Sequence, residues 1–266
     1  LHHSLTYKNA VATTLGEPSG SLLVLRALVA SGGLVAAASA LPILLVRAVP
    51  VPRGAIAAPH RRALLLRFGL IEAIFGFGAG SFLPFVNLFF ADRFGVDFAT
   101  LGLILGVLAV GGSLGALLHG IHVVPRFGDV RAVVLVQLLS VPFALLAGIA
   151  GHALLAAASL AIRAALMYGS ASTFRAFTQS TFSPAERAGV AAILAIAWNA
   201  TAAAGSVLSG AVRGWMGDAG WTVNLVTLGV AYVVAAALTL VLFSRHEPRG
   251  DLVAGMPEGA APDSAI

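Results

Sequence analysis

The sequence predicts an all-α fold, a polytopic bundle of membrane-spanning helices. Three observations carry this. Of the 266 residues, 59% are hydrophobic and only 10% are charged, against about 25% charged in an ordinary soluble domain. The apolar residues gather in seven runs. Each is long enough to cross a bilayer, which takes about 20 residues at 1.5 Å per residue. Nearly all arginines stand at the ends of those runs. The runs are long and apolar all round, without the short alternating pattern of barrel strands.

In chain order, residues 1–21 form an external N-terminal segment. The first run is 22–46, with Arg26 near its start and Pro42 near its end. A basic link covers 47–63. The second run, 64–90, holds Glu72 and Asn87. The third is 100–123 and the fourth 132–150. The fifth, 153–174, is interrupted by Arg163. The sixth is 190–212 and the seventh 223–243. The tail, 244–266, is rich in Pro, Gly and charge and reads as disordered.

Composition also excludes function classes. With no cysteine there is no disulfide framework and no thiolate metal site. The net charge of +5 forms no basic stripe, so nucleic acid is not an expected partner. His2 and His3 read as terminal residues rather than metal ligands. The chain does not begin with Met, and no cleavable signal pattern precedes the first run. It is expected to be a piece of a longer protein. No cofactor is expected.

Orientation follows the arginines, because basic residues concentrate on the cytoplasmic side. Alternate connections carry Arg47, Arg53, Arg61, Arg62 and Arg67, then Arg126 and Arg131, Arg175 and Arg187, and Arg245 and Arg249. The opposite connections hold Arg93 and Arg213, with Lys8 and Arg26 in the N-terminal region. The expected protein is therefore multi-pass in the cell membrane, with a cytoplasmic C-terminus. One run stands alone before a long basic link, and six follow with short connections. A link of that length marks a joint between two bundles.

Two connections make the arrangement specific. The stretch VPRFGDVR, residues 124–131, resembles the degenerate Asp-Arg-x-Gly-Arg-Arg loop of the major facilitator superfamily, between its helices eight and nine. Arg126 and Gly128 match, and Arg131 stands near the second basic position. Pro125 replaces the leading acid, and Asp129 occupies a place that is usually basic. The stretch FSPAERAGVAAI, residues 182–193, resembles the family's Pro-x-x-Glu-Arg segment before helix eleven, through Pro184, Glu186, Arg187 and Gly189. The preceding RAALMYGSASTFRAF is similar to helix ten of bacterial members.

The resemblance covers about 22–245. It implies that the seven runs are helices six to twelve of a twelve-helix carrier. The expected partners are the lipid bilayer, the missing N-terminal half and a small-molecule substrate. The implied activity is secondary transport by alternating access. The loop residues Arg126, Gly128, Asp129, Arg131, Glu186 and Arg187 have two readings. They latch the halves through contacts such as Arg126–Asp129 or Glu186–Arg187, or they serve orientation and helix ends.

Charges inside spans are costly, at least about 2.5–3.5 kcal/mol each, and face a cavity or a partner. Counted from the ends of their apolar runs, Glu72 lies about 12 Å and Arg163 about 15 Å deep. In the family fold both helices line the central cavity, so the two are expected at one level, facing the pathway and able to pair. Glu72 is the candidate carrier of a coupling proton, and Arg163 the candidate site for an anionic group. The alternative is a structural ion pair, or a Glu72 that reaches the headgroups. Asn87, Met167, Ser170 and Asn199 are polar or soft neighbours on the same faces, with helix–helix packing as the blander reading.

Glycines spaced four apart, Gly76/Gly80, Gly102/Gly106 and Gly111/Gly115, are expected to let helix backbones approach. GFGAG at 76–80 lacks the strand and spacing of a nucleotide loop. The one lysine, Lys8, lies outside every run, which removes a retinal pigment. No HExxH and no paired intramembrane aspartates occur, so an enzyme is not expected. His119 and His122 read as interfacial rather than metal-binding. A proton-coupled carrier is the favoured function. Small-residue walls suit efflux of amphipathic compounds. A non-transporting seven-helix receptor or scaffold is the alternative.

Overall fold

The computed structural model describes residues 61–244, with the isolated helical positions Ala30, Ser31, Leu34 and Ala38. Contacts divide the chain into two units, residues 1–54 and 55–266. The rest of the expected first span, the 47–60 part of the link, the N-terminal segment and the tail beyond Ser244 lie outside the described residues.

Six membrane-length helices build the second unit: α1 Arg62–Phe94, α2 Phe98–Phe127, α3 Asp129–Ile149, α4 Ala153–Thr181, α5 Arg187–Met216 and α6 Ala219–Phe243. They match runs two to seven, and most extend a turn or more beyond the apolar stretch. The runs mark only what hydrocarbon solvates, whereas a helix continues through polar residues into the interface. Short connections make neighbours antiparallel. One end of the bundle therefore collects Arg61, Arg62, Arg67, Arg126, Arg131, Arg175 and Arg187, and the opposite end Arg93 and Arg213.

Local chemistry sets the ends. Asp97 caps α2 by accepting from the N–H groups of Ala99 and Thr100 at 2.9 and 3.0 Å. The expected loop at 124–131 is almost absent. Helix runs to Phe127, Gly128 turns the corner at φ +75°, and Asp129 opens α3. That left-handed φ is why glycine serves there. Asp129 in the first turn also suits the helix dipole.

Two spans are irregular. In α1 the helix proper stops at Gly80, a 3₁₀ turn covers Leu83–Phe85 around Pro84, and helix resumes at Val86. Proline cannot donate to the turn before it. Carbonyls near the break find hydroxyl donors instead. Ser81 reaches Gly78 O at 2.7 Å and Ser206 of α5 reaches Gly80 O at 3.0 Å. Hydrocarbon would leave those groups unsatisfied. In α2 a π turn spans His119–Val123.

Packing runs from α2 to α4, α3, α6, α1 and then α5. Phe68, Phe174, Phe177 and Phe243 join α1, α4 and α6 near the arginine-rich end. Phe82, Phe89 and Trp221 do so between α1 and α6 near the other. Between these clusters α1 and α5 meet backbone to backbone. A Cβ on Gly76 would strike the Trp198 carbonyl, and one on Gly80 the backbone of Ala202. Gly115 abuts Ala165 of α4 in the same way, and Gly111 is in ordinary contact with Ala161. Gly102 and Gly106 differ from expectation, with nothing among the described residues within 4 Å of where a side chain would start. They face outward on a flanking helix. Only 6% of the apolar stretch of α2 and 17% of that of α5 is buried, against 44–50% for the other four.

Candidate transport pathway

Arg163 lies on α4 and is 4% exposed. Its guanidinium carbon stands 5.7 Å from the centre of the Tyr232 ring on α6. One terminal nitrogen is buried without a hydrogen-bond partner among the described residues. The residue borders a cavity of about 230 Å³ between the α1 break, α2 and α4. Phe82, Leu83, Leu105, Leu108 and Leu160 give it apolar walls, and Tyr168 is the other polar side chain on it.

Glu72 does not pair with Arg163. It is half-buried on α1, and the cation that acts on it is Arg175. The two expected partners sit at different depths. The α1 residue at Arg163's level is Phe82, ten positions past Glu72, or about 15 Å along a helix. Arg175 is twelve positions past Arg163 on α4, or about 18 Å toward the arginine-rich end. Depth counted from the edges of apolar runs misleads here, because α4 continues to Thr181 and α1 to Phe94. Glu72 therefore lies in the half of its helix toward the arginine-rich end, and Arg163 in the opposite half of its own.

The neighbours divide. Asn87 is exposed and its side-chain oxygen accepts from the adjacent Leu88 N–H at 2.9 Å. Asn199 is exposed on α5 and donates to Ala195 O of its own helix at 2.7 Å. Met167 is half-buried against the core. Ser170 is buried and turned toward α3, where it accepts from the Gln137 amide at 2.9 Å. Of the named set, only Arg163 borders the 230 Å³ cavity.

At the arginine-rich end, Arg126 is exposed beside the Gly128 corner. Glu186 is buried and turns back on Ser183, accepting from its N–H at 3.2 Å and its hydroxyl at 2.7 Å. This is half of a capping box, fixing the entry into α5. Arg187 donates from Nε to Phe182 O at 3.3 Å.

Sequence reasoning missed the opposite end. Arg213 of α5 forms an ion pair with Asp92 of α1, and its guanidinium lies 4.0 Å from the centre of the Trp221 ring of α6. Arg93 donates to Gly148 O at 2.6 Å and Ala150 O at 3.4 Å, capping the end of α3. Thr222 of α6 donates to the same Gly148 carbonyl at 2.7 Å. Four helices are thus tied by the two arginines that stood out as exceptions to the charge bias. The aromatic residues around them, Phe89, Phe94 and Trp221, were the available signal. His119 is also unforeseen in its role. It is buried at the π turn, both ring nitrogens lack partners among the described residues, and it packs against Gly169 of α4. A wider groove of about 560 Å³ between α1, α5 and α6 is lined by Ala, Val, Ile, Phe and Thr, and carries no charge.

Residues 68–265 match the family model described as Major Facilitator Superfamily. No curated protein matches the chain. Among solved structures, the crystal structure of a bacterial homologue of the human lysosomal transporter Spinster, inward-facing and occupied, superposes with a TM-score of 0.52. Sequence identity is 18%, and the match covers 68% of this chain and 49% of that one. The likeness is one of fold, and the chain spans about half the length of the structure it matches. With the family match running from within α1 to beyond α6, the chain belongs to the major facilitator superfamily.

Proposed function

We propose that these six helices form one wall of a secondary carrier that moves a small amphipathic solute outward across the cell membrane, coupled to protons. The observation that supports this most is the pattern of burial. The flanking helices α2 and α5 leave their outer faces open, while α1 and α4 carry Glu72 and Arg163 inside their spans, at different depths. Exposed apolar side chains such as Leu103, Val107, Leu114 and Val207 suit lipid or a second helical bundle. Alternating access is the rocking of two such bundles about a midplane site.

Glu72 is the proposed proton carrier. Among the described residues no hydrogen bond or ion pair fixes it, which leaves its charge able to change during a cycle. Arg175 on α4 is the cation placed to respond to that change. The test is flux in proteoliposomes under an imposed pH gradient. Glu72→Gln is expected to abolish gradient-driven accumulation, at least tenfold, while solute exchange at equal concentrations survives. Accumulation with an unchanged pH dependence in Glu72→Gln would sink the reading.

A further inference from the structure

Resting on the carrier reading, we propose that the cavity beside Arg163 binds small amphipathic anions, an apolar body bearing one carboxylate or phosphate group.

The guanidinium needs a counter-charge that the described helices do not supply. Arg163 is almost wholly buried, with a terminal nitrogen lacking any acceptor. The Tyr232 ring offers a π face at 5.7 Å but no charge. Glu72 lies about 15 Å away along α1, and Asp92 is held by Arg213. A buried cation left in this state is strongly disfavoured. Arginine's planar fork suits the paired oxygens of a carboxylate or phosphate.

The walls restrict the ligand further. Phe82, Leu83, Leu105, Leu108 and Leu160 present hydrocarbon to a space of about 230 Å³. A bare inorganic anion would meet the arginine but leave those walls unfilled. A neutral apolar molecule would fill them but leave the cation unpaired. An anion on a compact apolar body satisfies both. A break in α1 lies on one side and the sparsely covered α2 on another, so an entry route needs no separation of the buried aromatic clusters.

The test is calorimetric titration of the intact protein in lipid nanodiscs. The probes are benzoate, phenyl phosphate, the near-isosteric neutral benzamide, and inorganic phosphate. Saturable binding of benzoate or phenyl phosphate is expected, with benzamide and inorganic phosphate at least tenfold weaker. The better of the two anions identifies the headgroup. Arg163→Gln should reduce its binding to the benzamide level, and Arg163→Lys should recover part of it. Ala109→Trp fills the cavity from α2 with the arginine intact, and should weaken binding at least tenfold. It decides the matter if Arg163→Gln fails to fold. Equal binding of benzoate and benzamide, or anion binding unchanged in Arg163→Gln or Ala109→Trp, overturns the proposal. Gradient-driven flux without arginine-dependent binding would remove this site and leave the carrier reading. Binding without flux of any solute would do the reverse.

Discussion

Arg93 and Arg163 are both arginines in the same six-helix bundle, and their surroundings are opposite. At the end of α1, Arg93 donates to the carbonyls of Gly148 and Ala150 and lies within 6 Å of two phenylalanine rings. Nearby, Arg213 has both a carboxylate and an indole. Both cations there have oxygen acceptors and four helix ends are fixed as a result, although Arg213 Nε, like one nitrogen of Arg163, has no hydrogen-bond partner among the described residues. Inside the spans, Arg163 has one aromatic face and a nitrogen with no hydrogen-bond partner among the described residues, and the cation that acts on Glu72 is Arg175. The first region uses charge to hold the fold. On the reading proposed above, the second keeps charge available for a ligand or a proton at a cost to the fold.

The contrast can be broken by substitution. Arg93→Met should give the largest loss of stability, about 3 kcal/mol, because it strips a charge-assisted donor from the end of α3. Thermal unfolding in detergent micelles measures it. Arg163→Met should move the other way or not at all, by about 1 kcal/mol of gain, since it removes an unpartnered buried cation. A large loss in Arg163→Met would mean that both arginines are structural, and the distinction would fall.

A double-mutant cycle between Asp92→Asn and Arg213→Gln sharpens the first half of the contrast. The pair is partly exposed, so solvent screening limits the expected coupling to about 1 kcal/mol. The smallest effect concerns Asp97, outside the spans. Its hydrogen bonds, chiefly from the Thr100 hydroxyl, hold its carboxyl below the usual carboxylate range. With a folded value below the unfolded one of about 3.9, its contribution is full above that pH. It is lost as pH falls through the lower folded value. The melting-temperature difference between the native protein and Asp97→Asn should therefore shrink on acidification below about pH 4.

The six spans were legible because hydrocarbon imposes one requirement, a long apolar run, and the sequence meets it almost without exception. Close approach at Gly76, Gly80 and Gly115 was legible too, since small residues four apart stack on one face. Gly102 and Gly106 have the same spacing and pack against nothing described. Spacing defines a face of a helix without saying which way that face points. The Glu72–Arg163 level failed for a related reason. Hydropathy locates the middle of a span only if both ends are known, and α4 runs seven residues past its expected end at 174. The break at Pro84 was hidden inside an apolar run, although serine, glycine and proline together offered the clue. Arg93 and Arg213 entered as counts of sidedness, and a count carries no geometry.

The stacking of Arg213 on Trp221 has a consequence for observation. The sequence holds three tryptophans. Trp215 is 83% exposed, Trp198 is half-buried, and Trp221 is 1% exposed beneath a guanidinium. With Trp198 and Trp215 replaced by phenylalanine, the emission of this one indole becomes a local optical signal. Its wavelength reports hydration, and its quenching by an aqueous collider reports access. A separation of α5 from α6 at that end would be visible in real time, without attaching any label.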